Sequence, residues 1–212
     1  MRKKQTPEEI AIRQNQILET ALGLLIKEDY QGITIRRITT ECGIATGTFF
    51  NYFPSKENLF LHLLYSKYKE YFQDEQVRFK ESSVRSFEDY KRFMLEGARN
   101  IFEKRQELIR LFILHHEILS SAQPENVPKE LNEGYIASMN ETANAIHDAL
   151  PAISATEALR NYSFFHAHMI GTKQIAPIST LGAYYPVWFD AVKEMLLAFE
   201  RYLEGTRKEL GL

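Results

Sequence analysis

The apolar positions of this chain recur every three to four residues over most of its length, the spacing of helices with one buried stripe. The first helix opens on a capping box: Thr6 caps, Pro7 takes the first helical position, and Glu9 follows three residues after Thr6. Ile10, Ile17, Ala21, Leu24 and Leu25 continue it at helical spacing, and it is expected to stop near Gly32. Thr34 then caps a short helix with Ile35, Ile38 and Cys42 on one face, and Gly43 ends it in left-handed backbone. A third short helix runs from about residue 45 to 52 and breaks at Pro54. Ser55 caps a fourth, which carries Leu59, Phe60, Leu63, Leu64, Tyr68 and Phe72 to about residue 80. Further helices are expected near 86–104, 107–121, 128–149, 154–172 and 184–208, divided by Ser82-Ser83, Gln123 to Pro128, Pro151, and Pro177 to Gly182. Ser154 and Glu157 form another capping box. The pattern predicts an all-α protein of about nine helices.

Composition sharpens this picture in a few places. Ten Gly and seven Pro in 212 residues are few, which favours long helices over strands and turns. A single cysteine, Cys42, excludes an internal disulfide and a paired-cysteine metal site, and fits a reducing cytoplasmic setting. The basic start leads into no apolar stretch, so no signal peptide is expected, and no run is long enough to span a bilayer. Net charge is −2, yet residues 1–56 hold eight Lys/Arg against six Asp/Glu where the rest holds 18 against 22. The asymmetry leans weakly toward an anionic partner for the N-terminal part.

The stretch from Thr34 to Lys56 carries the chemistry. Two short helices joined by a tight glycine-containing turn make a helix-turn-helix. Ile35, Ile38 and Cys42 bury one helix, Phe49 and Phe53 the other, and Ile44 fills the angle between them. The opposite face, Thr46, Gly47, Thr48, Phe50, Asn51 and Tyr52, offers donors, acceptors and apolar edges and no acidic group that would repel phosphate. Gly47 lets the backbone approach a duplex closely. Lys56 stands in the first turn of the fourth helix, where free N–H groups already attract anions, so a phosphate is expected there.

The residues Ile44-Ala45-Thr46-Gly47-Thr48-Phe49-Phe50-Asn51-Tyr52-Phe53-Pro54-Ser55-Lys56-Glu57-Asn58-Leu59 resemble the recognition helix and following helix of TetR-type transcriptional regulators. Thr34 to Gly43 resembles the helix before it, and the likeness covers about 50 residues. It implies an N-terminal three-helix helix-turn-helix domain over 1–55 that binds double-stranded DNA. It also implies a larger helical ligand-binding and dimerisation domain over 56–212. Arg36 matches a position that reaches a base edge or phosphate. Thr46 and Gly47 match the start of the base-reading helix, and Tyr52 and Lys56 match phosphate contacts. Two residues depart from the pattern: Ala45 lacks a common hydroxyl, and Phe50 replaces a usual Tyr, exchanging a phosphate hydrogen bond for a thymine-methyl contact.

The resemblance further implies a homodimeric, cytoplasmic, ligand-responsive repressor acting on a roughly palindromic operator and released by a small apolar or amphipathic effector. Phe93, Phe112, His116, Tyr135, Met139 and Phe165 are the candidate effector contacts, taken from the aromatic and Met-rich middle helices. Tyr162, Phe165, Met169, Trp188, Val192, Met195 and Phe199 are apolar and spaced for a four-helix dimer face on the last two helices, the alternative being intrachain core. No cofactor or metal is expected. His115 and His116 are adjacent and point about 100° apart on a helix, and His166 and His168 face nearly opposite sides. Enzyme motifs for nucleotide binding, zinc hydrolysis or a serine nucleophile are absent from the sequence. The alternative reading is a helical small-molecule-binding protein or enzyme without DNA binding.

Overall fold

The computed structural model describes residues 6–119, 129–179 and 190–212, apart from the side chains at 116–119 and 175–179. Among these residues every regular element is helical, and each helix begins for a local reason. Helix α1 (Pro7–Lys27) carries the expected capping box: Thr6 Oγ1 accepts from the Glu9 N–H at 3.2 Å, and the Glu9 carboxylate accepts from the Thr6 N–H at 2.9 Å. It ends at Lys27, before the expected Gly32. Glu28 and Asp29 are extended and Tyr30–Gly32 form a separate 3-10 turn. That detour drops Ile33 fully into the core, which an uninterrupted helix would not do.

Helix α2 (Ile35–Cys42) is capped by Thr34, whose Oγ1 accepts from the Arg37 N–H at 3.1 Å. Helix α3 (Thr46–Phe49) is shorter than the expected 45–52. The N–H groups of Asn51 and Tyr52 bond three residues back, to Thr48 and Phe49, so the chain leaves in a tight turn. Pro54 then keeps Phe53 out of helical backbone, so the turn cannot resume the helix.

Helix α4 (Lys56–Glu81) is shared by both ends of the molecule. Its first half buries Leu59, Phe60, Leu63 and Leu64, and its second half buries Tyr68, Tyr71, Phe72 and Phe79. Then follow α5 (Phe87–Lys104), with a Ser86–Asp89 capping box, α6 (Gln106–Leu119) and α7 (Lys129–Ala149). Helix α8 (Ala155–Ser179) runs past the expected end at 172. Helix α9 (Ala191–Glu209) starts later than the expected 184, at an Asp190 cap whose carboxylate accepts from the Lys193 N–H at 3.1 Å. Helix α7 lies between α4 and α8, α9 lies against α5 and α8, and α6 touches α1, α4, α5 and α8. No described helix is long and apolar enough to cross a membrane.

This arrangement corrects the expected dimer face. Tyr162, Phe165, Met169, Met195 and Phe199 are all under 4% exposed within the single chain, so they fill the protomer's own core and have no surface to give a partner. The stripe is apolar because α8 and α9 bury it against α5, α7 and each other. Val192 stays half-buried, and Trp188 lies outside the described residues. Besides Val192, the side chains left half-exposed on these helices include Leu159, Phe164, His168, Leu196 and Tyr202. Among them, Phe164 and Tyr202 stack with ring centres 3.6 Å apart.

Candidate nucleic-acid interface

The corner between α2 and α3 is built from buried apolar residues and one left-handed glycine. Ile38 and Phe49 are fully buried and Cys42 nearly so. Its thiol faces the Thr20 hydroxyl at 3.0 Å. Gly43 sits at φ +65°, which an L side chain rarely adopts, and its turn is closed by the Gly43 N–H to Thr40 and the Ile44 N–H to Thr39. Thr39 and Thr46 hydroxyls lie 3.4 Å apart across the corner. Phe49 and Phe53 pack at 5.8 Å between centroids, and Phe53 continues onto His62 of α4 at 5.6 Å.

These contacts fix which side chains stand outside. Arg36, Ala45, Thr46, Gly47, Phe50 and Asn51 are exposed, and Thr48, Tyr52 and Lys56 are half-buried. Phe50 is 53% exposed, a large apolar ring held edge-on to Phe49 and otherwise open. A Cβ added at Gly47 would meet nothing within 4 Å. The chain's own packing therefore does not require glycine there. Arg36 is distinct from its neighbour: Arg37 is held by Glu28 at 3.2 Å and Glu41 at 3.4 Å.

At the start of α4, Ser55 Oγ accepts from the Asn58 N–H at 3.1 Å. Lys56 Nζ donates to the Tyr30 carbonyl at 3.1 Å and lies 3.8 Å above the centre of the Tyr30 ring. Burial lowers the pKa of its ammonium from the ordinary lysine value. One of its three donors is thus used on the Tyr30 carbonyl, which positions the ammonium at the start of α4. Sequence reasoning missed Tyr30, whose only sequence signal is its place beside the turn at Gly32.

Residues 17–63 match the family model of the bacterial regulatory proteins, tetR family. The chain carries a tetR-family helix-turn-helix segment. Over 48 residues it is 46% identical to the HTH-type transcriptional regulator YuxN of Bacillus subtilis, covering 23% of this chain and 16% of that protein. Over 55 residues it is 40% identical to the transcriptional repressor AcnR of Corynebacterium diphtheriae, covering 26% of this chain and 29% of that one. The match therefore spans less than a third of either relative. The whole fold resembles a transcriptional regulator from Saccharomonospora viridis solved in complex with choline. The TM-score is 0.62 at 18% identity, over 92% of this chain and 96% of that one. At that identity the likeness is one of fold alone.

Beyond the tetR segment, the structure brings together only some of the expected effector contacts. Phe112 stacks on Tyr68 at 4.5 Å, Tyr68 on Tyr135 at 5.2 Å, and His166 joins Phe112 at 4.5 Å to Phe165 at 5.4 Å. Met139 is half-buried and packs against the same core. Phe93 is separate: it packs on Phe79 at 5.2 Å, and the Arg78 guanidinium lies 3.5 Å from its ring centre. The side chain of His116 lies outside the described residues. His166 itself was not singled out as a contact. Burial pushes its pKa down to about 4, and its Nε2 is buried with no hydrogen-bond partner among the described residues. Nearby, Arg78 grips the buried Glu75 carboxylate through Nε at 2.9 Å and Nη2 at 2.6 Å, and the Tyr162 hydroxyl donates to it at 3.0 Å.

Proposed function

We propose that this protein is a ligand-responsive transcriptional regulator, a repressor that binds a roughly palindromic operator as a homodimer and is released by a small apolar or amphipathic molecule. The observation that carries the reading is the exposed face at Arg36, Ala45, Thr46, Gly47, Phe50 and Asn51, with Thr48, Tyr52 and Lys56 beside it, on a tetR-type corner. Residues 1–55 form the DNA-binding part and 56–212 the regulatory part. Thr46 and Phe50 reach base edges, while Tyr52 and Lys56 meet phosphate, which sets register without reading sequence. The partner protomer docks on the half-exposed Leu159, Phe164, His168, Leu196 and Tyr202 rather than on the buried stripe. The effector enters the aromatic cluster around Phe112, Tyr135 and His166 and shifts the population toward a spacing of recognition helices that misfits successive major grooves. The complex of the Saccharomonospora viridis regulator with choline supports a ligand in a fold of this shape. The setting is the cytoplasm, and no catalytic step is assigned.

Two measurements test this. Fluorescence anisotropy on duplex DNA should show affinity that falls steeply with salt, as counterion release requires. Affinity for duplex that salt does not touch would remove the DNA-binding reading. Sedimentation should show a dimer. Tyr202→Glu should shift it toward a folded monomer, whereas Phe199→Glu should misfold, because a charge would enter the protomer core. A folded Tyr202→Glu protein that remains fully dimeric would move the interface elsewhere.

A further inference from the structure

A groove of about 580 Å³ lies where the end of α1 meets α6, outside the aromatic cluster. Leu25 and the turn through Gln31 make one wall; α6 from Gln106 to Leu114, with Lys173 of α8, makes the other. Its floor is apolar: Leu25, Ile109 and Leu114 are buried, and Ile113 is left half-exposed. Two cations face it. Arg110 Nη1 donates to the carbonyls of Leu25 at 2.6 Å and Glu28 at 3.1 Å, so a residue of α6 caps the end of α1. Lys173 Nζ donates to Gln106 Oε1 at 3.0 Å and lies 4.6 Å from the centre of the Phe102 ring.

Neither cation has a carboxylate within ion-pair distance among the described residues. The anions on the rim are Glu28, already held by Arg37 at 3.2 Å, and the exposed Asp29. Burial first, and the charge of Arg110 second, lower the Lys173 pKa from the ordinary lysine value. Two cations close enough to act on one another thus line a groove with an apolar floor. A carboxylate with an apolar tail completes both halves of that arrangement.

We propose that this groove binds a carboxylate-headed amphiphile, its head between Arg110 and Lys173 and its tail over Ile109, Ile113 and Leu114. Occupancy bears on the DNA-binding helices through what Arg110 already holds. A carboxylate accepts a stronger hydrogen bond from a guanidinium than a neutral carbonyl does, so it draws Arg110 off Leu25 and Glu28. The last turn of α1 loses its cap, and the turn that follows contains Tyr30, whose carbonyl positions Lys56. The site is distinct from the aromatic cluster proposed above for the effector, and the two stand or fall separately.

The test uses the full chain, with dodecanoate, dodecanol and dodecyltrimethylammonium as probes in titration calorimetry below their micelle concentrations. Dodecanoate should bind, and the alcohol and the cation should bind at least about tenfold more weakly. Lys173→Gln, a substitution at a half-exposed site that keeps the fold, should weaken dodecanoate by about tenfold. Ile113→Glu should abolish binding, and Tyr135→Leu in the aromatic cluster should leave it unchanged. Hydrogen exchange in the last turn of α1 should quicken when dodecanoate is bound. No binding of dodecanoate, equal binding of dodecanol, or binding unmoved by Lys173→Gln overturns the proposal. Binding lost in Tyr135→Leu but kept in Ile113→Glu places the ligand in the aromatic cluster and overturns the groove.

Discussion

The two ends of the molecule handle polar groups in opposite ways. In the helix-turn-helix the buried side chains are apolar or nearly so, namely Ile17, Leu24, Ile33, Ile38, Phe49 and Phe53 with Thr39 and Cys42. Arg36, Thr46 and Asn51 stand outside. In the helices beyond it, polar and titratable groups go inside: Glu75 under Arg78, Asn161 on Tyr90, Tyr162 on Glu75, and His166 with an orphan nitrogen. The first design makes a rigid block whose outer face is free to specify a partner. The second makes a core whose stability depends on charge and hydrogen bonding, the property that lets a bound molecule or a proton shift an equilibrium.

That contrast can be broken by experiment. The largest effect is expected in the apolar block, where Phe49→Ala should cost about 4 kcal/mol, because a fully buried ring leaves a cavity among close-packed neighbours. Urea denaturation measures it, and a loss under about 1 kcal/mol would mean the corner is not held by packing. In the regulatory core, Arg78→Ala should cost about 3 kcal/mol by leaving the Glu75 carboxylate buried and unpaired. The double change Glu75→Gln with Arg78→Ala should recover part of that loss. If Arg78→Ala alone is neutral, charge pairing does not hold this core.

His166 gives the pH arm of the comparison. Its folded pKa of about 4 lies below the ordinary 6.5, so folding favours the neutral ring. Its contribution is therefore complete above pH 6.5 and is lost as pH falls from there toward 4, since the unfolded chain takes up the proton first. The loss should be about 3 kcal/mol over that window, and His166→Phe should flatten it. An unchanged pH profile in the variant would assign the loss to other groups.

The smallest effects belong to the exposed face, and there the two contact types should separate. Thr46→Ala should relax discrimination at one base pair by about 1 kcal/mol per half-site, below a good bidentate contact. Lys56→Ala should weaken specific and scrambled duplexes alike and lower the salt slope by about one unit per half-site. A salt slope that Lys56→Ala leaves untouched would show that its Tyr30 contacts are its whole role.

Capping and the Gly43 turn were legible from local residue types: the box at Thr6, the Thr34 and Ser55 caps and the left-handed glycine all sit where sequence logic puts them. These are interactions between residues a few positions apart, so the residue types suffice to state them. The early ends of α1 and α3 were less legible, because each helix gives way to a tight turn closed by backbone hydrogen bonds, which apolar spacing does not encode. The dimer face was misread for a related reason. Helical spacing shows that Phe165, Met195 and Phe199 share apolar stripes, and it is silent on whether a neighbouring helix or a second chain covers them.

What the sequence by itself determined was therefore the helical character, the corner at Thr34 to Lys56 and the polar face it leaves outside. All three rest on short-range spacing and backbone preference. Only the tertiary structure decided the pairings across long separations: Lys56 with Tyr30, Arg110 with the end of α1, Tyr162 with Glu75, and His166 among rings from α4 and α6. Each joins residues from different elements, and burial lowers the pKa of His166, whose Nε2 has no hydrogen-bond partner among the described residues. Such contacts depend on which helices meet and at what register, and no periodicity along one helix encodes that.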